Sequence, residues 1–123
     1  MASPVKAFVA VLLILGLVTE GLCACSLNDI NIGTVRSGRT IQGKAEWNVT
    51  VINNCKCSQS KIKLTCKGFQ SVEAVDENIF LKQGDNCLLI KGDSLPGFRS
   101  VSFSYAWDPP FIMFPSDSVV KTC

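Results

Sequence analysis

Cysteine is the residue type in this sequence whose number and spacing could support chemistry. The 123 residues include seven cysteines and no histidine. Free thiolates can ligate zinc or act as nucleophiles, whereas cysteines in an oxidising compartment pair as disulfides. The compartment therefore decides between these roles. The cysteines are Cys23, Cys25, Cys55, Cys57, Cys66, Cys87 and Cys123.

The N-terminal segment indicates an oxidising compartment. Lys6 precedes an apolar run from Ala7 to Val18, and small residues follow at Gly21 and Ala24. This is the layout of a secretory signal peptide. The run is shorter than the roughly 20 residues that a transmembrane helix needs. We therefore predict a signal peptide over residues 1–24, a secreted extracellular domain over residues 25–123, and no membrane insertion after cleavage.

Cleavage also sets the parity of the cysteines. A cut after Ala24, or after Cys23, removes Cys23 and leaves an even number that suits three disulfides. Cys55 and Cys57, with only Lys56 between them, are too far apart to bond to each other in an extended chain. Excluding that bond leaves twelve of the fifteen pairings that six cysteines allow. The cysteines predicted to form disulfides are Cys25, Cys55, Cys57, Cys66, Cys87 and Cys123.

The remaining polar residues do not indicate an enzyme. The lack of histidine excludes proteases that use a histidine base and most catalytic zinc sites. Aspartates could form a glycosidase pair, but they lie in turn-like contexts where aspartate commonly caps the backbone. The net charge of +2 is too small to indicate nucleic-acid binding. We expect no catalytic residue, no metal and no cofactor. The aspartates are Asp76, Asp85, Asp93, Asp108 and Asp117.

Alternating apolar and polar residues predict the elements that position these side chains. Three segments alternate clearly: KAEWNVTVINN from residue 44, SKIKLTC from residue 60 and RSVSFSYAW from residue 99. A period of two indicates strands with one face on a core and one in water. Weaker strands are expected near residues 30–35, 69–75, 78–82, 88–91 and 116–122. We predict an all-β fold, an antiparallel β-sandwich of seven or eight short strands cross-linked by disulfides, with a closed barrel as the alternative.

Three surface features are candidates for function. Asn48-Val49-Thr50 is an N-glycosylation sequon, and the alternation places Asn48 on the outward face. Trp107 ends a predicted strand beside two prolines, so it could be exposed and could stack on a sugar. Lysines at positions 56, 61, 63 and 67 could dock an acidic partner, or could solubilise the strand and protect a sheet edge.

The order of the cysteines within four segments gives the sequence a family resemblance. The segments are CSLNDINIGTVRSGR from residue 25, WNVTVINNCKCSQSKIKLTCKGFQSVEAVDENIF from residue 47, GDNCLLIKGDSLPGFRSVSFSYAW from residue 84, and the terminal KTC. They resemble the plant tapetum determinant family. The resemblance implies a small signalling protein of the apoplast, with the ectodomain of a leucine-rich-repeat receptor kinase as its partner and a role in cell fate in the anther.

A second resemblance covers the stretch between the two tryptophans. NVTVINN, IKLTC and SLPGFRSVSFSYAW are similar to segments of plant cellulose-binding β-sandwich modules. That resemblance implies an alternative partner, cell-wall glucan, bound by an exposed aromatic side chain such as Trp107.

Overall fold

The structure is a computed structural model that describes residues 24–121 and 123. The predicted signal peptide, residues 1–24, lies outside the described residues except for Ala24.

Seven strands and two short 3₁₀ turns make up the described chain, which confirms the all-β prediction. Within residues 24–121 and 123, no helix is long and apolar enough to cross a membrane. The 3₁₀ turns are Leu27–Asp29 and Ile90–Gly92. The strands are β1 (Ile30–Ile41), β2 (Lys44–Asn53), β3 (Gln59–Thr65), β4 (Phe80–Gln83), β5 (Asn86–Leu89), β6 (Ser100–Ala106) and β7 (Pro115–Val120).

The strands form two antiparallel sheets that face each other across one core. The first sheet has the order β1-β2-β6 and the second the order β4-β5-β3-β7. The ring of Phe80 in the second sheet stacks on Phe103 in the first, with 4.2 Å between centroids. The sandwich is therefore confirmed, and the closed barrel is wrong because the two sheets are separate.

The alternation of the sequence explains which residues reach this core. On β2, Val49 and Val51 are fully buried, whereas Asn48 and Thr50 are exposed. The same period places Ile62 and Leu64 of β3 and Phe103 and Tyr105 of β6 inside.

One predicted strand, residues 69–75, is wrong. Phe69 fills the end of the core, with its ring edge-on to Tyr105 at 5.3 Å. The hydroxyl of Ser71 then accepts from the Glu73 amide and donates to the Glu73 carbonyl, which closes a turn. A side-chain hydroxyl thus replaces the strand ladder here. The prediction for residues 88–91 is also partly wrong, because β5 ends at Leu89 and the chain turns.

Three disulfides cross-link the sandwich, and their pairing is now defined. Cys66–Cys87 lies in the core next to the β3–β5 pair. Cys25–Cys55 and Cys57–Cys123 attach the two ends of the domain to one loop between β2 and β3. The paired Cα atoms are 5.9, 5.8 and 5.4 Å apart, respectively, within the range that disulfides span.

Candidate functional site

A carboxyl pair, Glu46 and Glu73, lies where the turn after Phe69 meets β6. Glu46 is only 4% exposed, and it accepts a 2.8 Å hydrogen bond from the Ser37 hydroxyl. The Arg39 guanidinium lies 3.8 Å from the same carboxylate. A buried carboxylate oxygen of Glu73 has no hydrogen-bond donor. Two carboxyls in this arrangement are stabilised by sharing one proton.

Sharing one proton shifts the pKa values of the two carboxyls in opposite directions. The hydrogen bond with Glu73, followed by the bond from Ser37, lowers the pKa of Glu46. The same bond with Glu46, together with burial, raises the pKa of Glu73. A glycosidase needs its carboxyls about 5 Å or more apart, with the sugar between them. Hydrogen-bonded carboxyls leave no such space, so the pair does not have the geometry of a glycosidase site.

The sequence pattern missed this pair for a physical reason. Strict alternation places Glu46 on the outward face of β2, but the structure buries it, so that part of the strand prediction is wrong. The backbone of Val72 donates to Ala106, the register partner of Glu46, and the turn thereby covers this end of the sheet. Alternation on one strand carries no information about a distant turn that covers it.

One group of side chains has the composition of a metal site. Cys25, Asp29 and Cys55 have ligand-type atoms within 4.8 Å of one another. However, the two sulfurs are joined in a disulfide, and the Asp29 carboxylate accepts from the amide of Ser26. The bonded sulfurs are not thiolates and cannot ligate zinc as thiolates do.

The sequon lies at the centre of the first sheet. Asn48 is exposed on β2, the middle strand, and its side-chain oxygen accepts a 2.7 Å bond from Ser104. Its outward position matches the alternation. Glycosylation at Asn48 stays a prediction.

The aromatic candidate Trp107 is half-buried and packs against the core. Its carbonyl accepts from the Trp47 indole at 2.9 Å, and the Lys44 ammonium lies 5.0 Å from its ring centroid. Two other aromatic side chains, Phe98 and Phe114, are more open to solvent, with 64% and 62% exposure.

The predicted lysine cluster is divided by the fold. Lys61 and Lys63 line a groove of about 360 Å³ on the outer face of the second sheet, whereas Lys56 and Lys67 do not. Lys91, which the sequence did not group with them, joins this groove, and Asp117 lines it too. We call this feature the lysine groove. It is a concave, positively charged surface on the side of the sheet that faces away from the core.

The Asn-Asn-Cys segment that supports the family resemblance has a structural role. The side chain of Asn53 is fully buried and donates to the carbonyls of Cys57 and Leu95, at 2.8 and 3.0 Å. Its oxygen accepts from the buried amide of Gln59. The network joins β2 and β3 to the loop between them, residues 54–58, which contains Cys55 and Cys57. We call this loop the cysteine loop.

The Pro-Gly turn meets the same loop. A Cβ at Gly97 would overlap the backbone oxygens of Cys55 and Lys56. Position 97 therefore requires glycine, because any side chain would collide with the backbone of the cysteine loop. This contact explains the glycine of the Pro-Gly motif.

Comparison with known proteins assigns this framework to a family. The family model described as "Tapetum determinant 1, C-terminal" matches residues 26–123, which include five of the six cysteines in the three disulfides. The sixth, Cys25, directly precedes the matched range. The chain belongs to the tapetum determinant family.

Two curated members of the tapetum determinant family show how similar the relatives are. The chain is 32% identical over 105 residues to "TPD1 protein homolog 1A" of Oryza sativa subsp. japonica, an alignment that covers 78% of this chain and 45% of the relative. It is 31% identical over 85 residues to "TPD1 protein homolog 1" of Arabidopsis thaliana, covering 67% and 48%. The chain thus spans about half the length of these relatives. No solved structure matches it.

Proposed function

We propose that the protein is a secreted signalling ligand that binds the ectodomain of a leucine-rich-repeat receptor kinase and directs cell differentiation in plant reproductive tissue. The match of residues 26–123 to the tapetum determinant model is the main support for this proposal. The disulfides support secretion, because such bonds persist in oxidising compartments.

The fold suits a ligand for a solenoid receptor. Leucine-rich repeats form extended concave surfaces, and a rigid partner loses little conformational entropy when it docks on one. Three disulfides and the buried Asn53 network hold the sandwich in one shape. Receptor binding then needs no folding step.

A binding titration tests the proposal. The full 123-residue sequence is expressed through a secretory pathway, and the oxidised protein from the medium is titrated against a panel of plant leucine-rich-repeat ectodomains. We expect saturable binding, micromolar or tighter, to at least one ectodomain, and its loss after reduction and alkylation. Retention of the protein inside the cell, binding that survives complete reduction and unfolding, or no binding across a panel of all such ectodomains from one plant would contradict the proposal.

A role in binding cell-wall glucan is the second candidate, and the exposed aromatics Phe98 and Phe114 favour it. Trp107 suits stacking less well, because Lys44 lies over its ring. Retention of the oxidised protein on insoluble cellulose is the test. Binding that is lost in Phe98→Ala, Phe114→Ala or Trp107→Ala would support this candidate, and wild-type protein that washes through would exclude it.

A further inference from the structure

We propose that the lysine groove is the docking site for a segment of the protein partner that carries carboxylates and aliphatic side chains. This inference rests on the proposed receptor function, and it names the face of the ligand and the chemistry of the receptor surface that the face contacts.

The positions of the lysines argue against a purely protective role. Lys61 and Lys63 belong to β3, which lies between β5 and β7 inside the second sheet. Lysines protect sheets from aggregation when they stand on edge strands. The edge-protection interpretation of the sequence is therefore wrong for these two residues.

The backbone at two of the lysines is in a conformation that ordinary residues avoid. Lys61 has φ of +49° and Lys91 has φ of +57°. Left-handed backbone at such residues is unfavourable and concentrates at functional sites. At Lys61 it coincides with a register shift between β3 and β7, of the kind that redirects a side chain. Two unfavourable local conformations thus place two ammonium groups around one groove.

The positive charge of the groove is only partly offset within the described chain, by Asp117, the register partner of Lys63. The salt bridge found in residues 24–121 and 123 joins Arg39 to Glu46, so Lys61, Lys63 and Lys91 have no carboxylate within salt-bridge distance among these residues. Together with Asp117, these lysines give the groove a balance of two positive charges, equal to the net charge of the whole chain. The remaining residues are thus neutral overall. The groove therefore has a local excess of positive charge that attracts an acidic partner.

The other lining residues decide what kind of acidic partner fits. Leu88 and the 48% exposed Val119 give the groove apolar surface between the lysines. No aromatic side chain of the described residues lines it. Sugars are commonly held by aromatic stacking, whereas aliphatic side chains between carboxylates would be buried against Leu88 and Val119. A peptide segment of alternating acidic and aliphatic residues therefore fits better than an acidic polysaccharide.

The first experiment maps the groove without any receptor. Isotope-labelled, oxidised protein from the full-length sequence is titrated with a blocked octapeptide of alternating Glu and Leu, with a Lys-Leu octapeptide and polygalacturonate as comparisons. We expect the Glu-Leu peptide to shift the amide signals of Lys61, Lys63 and Lys91, and the Lys-Leu peptide to leave them unchanged. Tighter binding of polygalacturonate at these amides, or no shift there with the Glu-Leu peptide, would overturn the proposal.

Charge reversal then tests the groove against a receptor that binds in the ectodomain panel. The triple variant Lys61→Glu/Lys63→Glu/Lys91→Glu is compared with Lys56→Glu/Lys67→Glu/Lys121→Glu, which makes the same change in net charge elsewhere. We expect at least tenfold weaker binding for the first variant and less than threefold for the second. If the first triple variant does not fold, Lys63→Gln/Lys91→Asn replaces it, with an expected threefold or greater loss.

The results separate the two proposals. A receptor that binds wild type and the groove variant equally would overturn the groove assignment and leave the receptor function standing. Failure to bind any receptor, with the Glu-Leu peptide still mapped to the groove, would remove the receptor function while the groove remained a binding site for acidic peptides.

Discussion

At the scale of single residues, alternation does not predict the partners that buried polar groups require. Glu46, Glu73 and Asn53 each depend on a partner that is distant in the sequence or provided by a loop. Alternation identifies which side of a strand faces the core, but it does not identify a loop that folds over the other side. These residues give two sharp predictions.

Glu73→Gln is expected to stabilise the protein at neutral pH. The raised pKa of Glu73 gives stability that is present at pH below its ordinary value of 4.5 and is lost as pH rises through the raised pKa. The lowered pKa of Glu46 gives stability that is lost only as pH falls below 4.5. As the pH rises through the raised pKa of Glu73, the shared proton leaves and the two carboxylates repel.

An amide at position 73 can donate to Glu46 without titrating. We therefore expect the melting temperature of Glu73→Gln to exceed that of wild type by roughly 2–5 °C at neutral pH, with the difference shrinking towards pH 4.5. Thermal unfolding followed by circular dichroism across this range is the measurement. Glu77→Gln, at an exposed position in the same loop, is the control and should leave the curve unchanged. If the variant melts at a lower temperature than wild type at neutral pH, repulsion between the Glu46 and Glu73 carboxylates does not destabilise the protein.

Asn53→Ala is expected to be strongly destabilising. The change leaves the buried carbonyls of Cys57 and Leu95 and the Gln59 amide with fewer partners, at about 1–3 kcal/mol for each unsatisfied group. We expect a total loss of about 3–5 kcal/mol in guanidinium chloride unfolding under non-reducing conditions. Asn54→Ala, at the exposed neighbouring position, should cost less than about 0.5 kcal/mol. Equal losses for the two variants would contradict a role for the network.

At the scale of elements, the sequence predicts strands well where one face meets water and the other meets the core. β2, β3 and β6 satisfy that condition, and their inward residues were predicted correctly. The strand prediction for residues 69–75 is wrong because Phe69 packs into the core from a turn. An apolar residue buried in this way looks, in the sequence, like the first residue of a strand. The lysine groove could not be predicted in full, because Lys91 comes from a turn after β5 and joins Lys61 only through sheet pairing.

One buried hydroxyl contributes to holding the segment between β6 and β7 on the sandwich. Tyr105, fully buried on β6, accepts a 2.9 Å hydrogen bond from the Phe111 amide. Tyr105→Phe removes that acceptor, and we expect a loss of about 1–3 kcal/mol in stability. The Phe111 amide should exchange with deuterium at least tenfold faster. Thr65→Val removes the more exposed acceptor of the Phe114 amide and serves as the comparison, with a smaller expected loss. Unchanged exchange at Phe111 in Tyr105→Phe would contradict this role.

At the scale of the whole molecule, the two outer faces differ in chemistry. The outward side of β2 and β6 has uncharged groups that hydrogen-bond across the strands, as Thr50 does with Ser102 at 3.1 Å. The outward side of the second sheet has the lysine groove. A partner that approaches the sandwich therefore meets uncharged hydroxyl and amide groups over β2 and β6 on one side and a cationic groove on the other.

The three disulfides are expected to contribute unequally to stability. Loop-closure entropy favours Cys57–Cys123, which spans 66 residues, over Cys66–Cys87, which spans 21, by only about 1 kcal/mol. Cys66 and Cys87 are almost fully buried, so replacing both with alanine also removes packed core atoms. We expect Cys66→Ala/Cys87→Ala to cost more stability than Cys57→Ala/Cys123→Ala. Denaturant unfolding of the two double variants measures both losses. A larger loss for Cys57→Ala/Cys123→Ala would show that loop-closure entropy outweighs the packing of the core.

The arrangement of Cys25–Cys55 and Cys57–Cys123 also has a mechanical consequence. Cys25 is bonded to Cys55 and Cys123 to Cys57, so a pull applied between Ala24 and Cys123 passes through two sulfur bridges and the three-residue link Cys55–Lys56–Cys57. That link is only about 10 Å long even when fully extended. The tension bypasses both sheets, and the sandwich keeps its shape under a load that would unravel a domain held at its ends by hydrogen bonds alone.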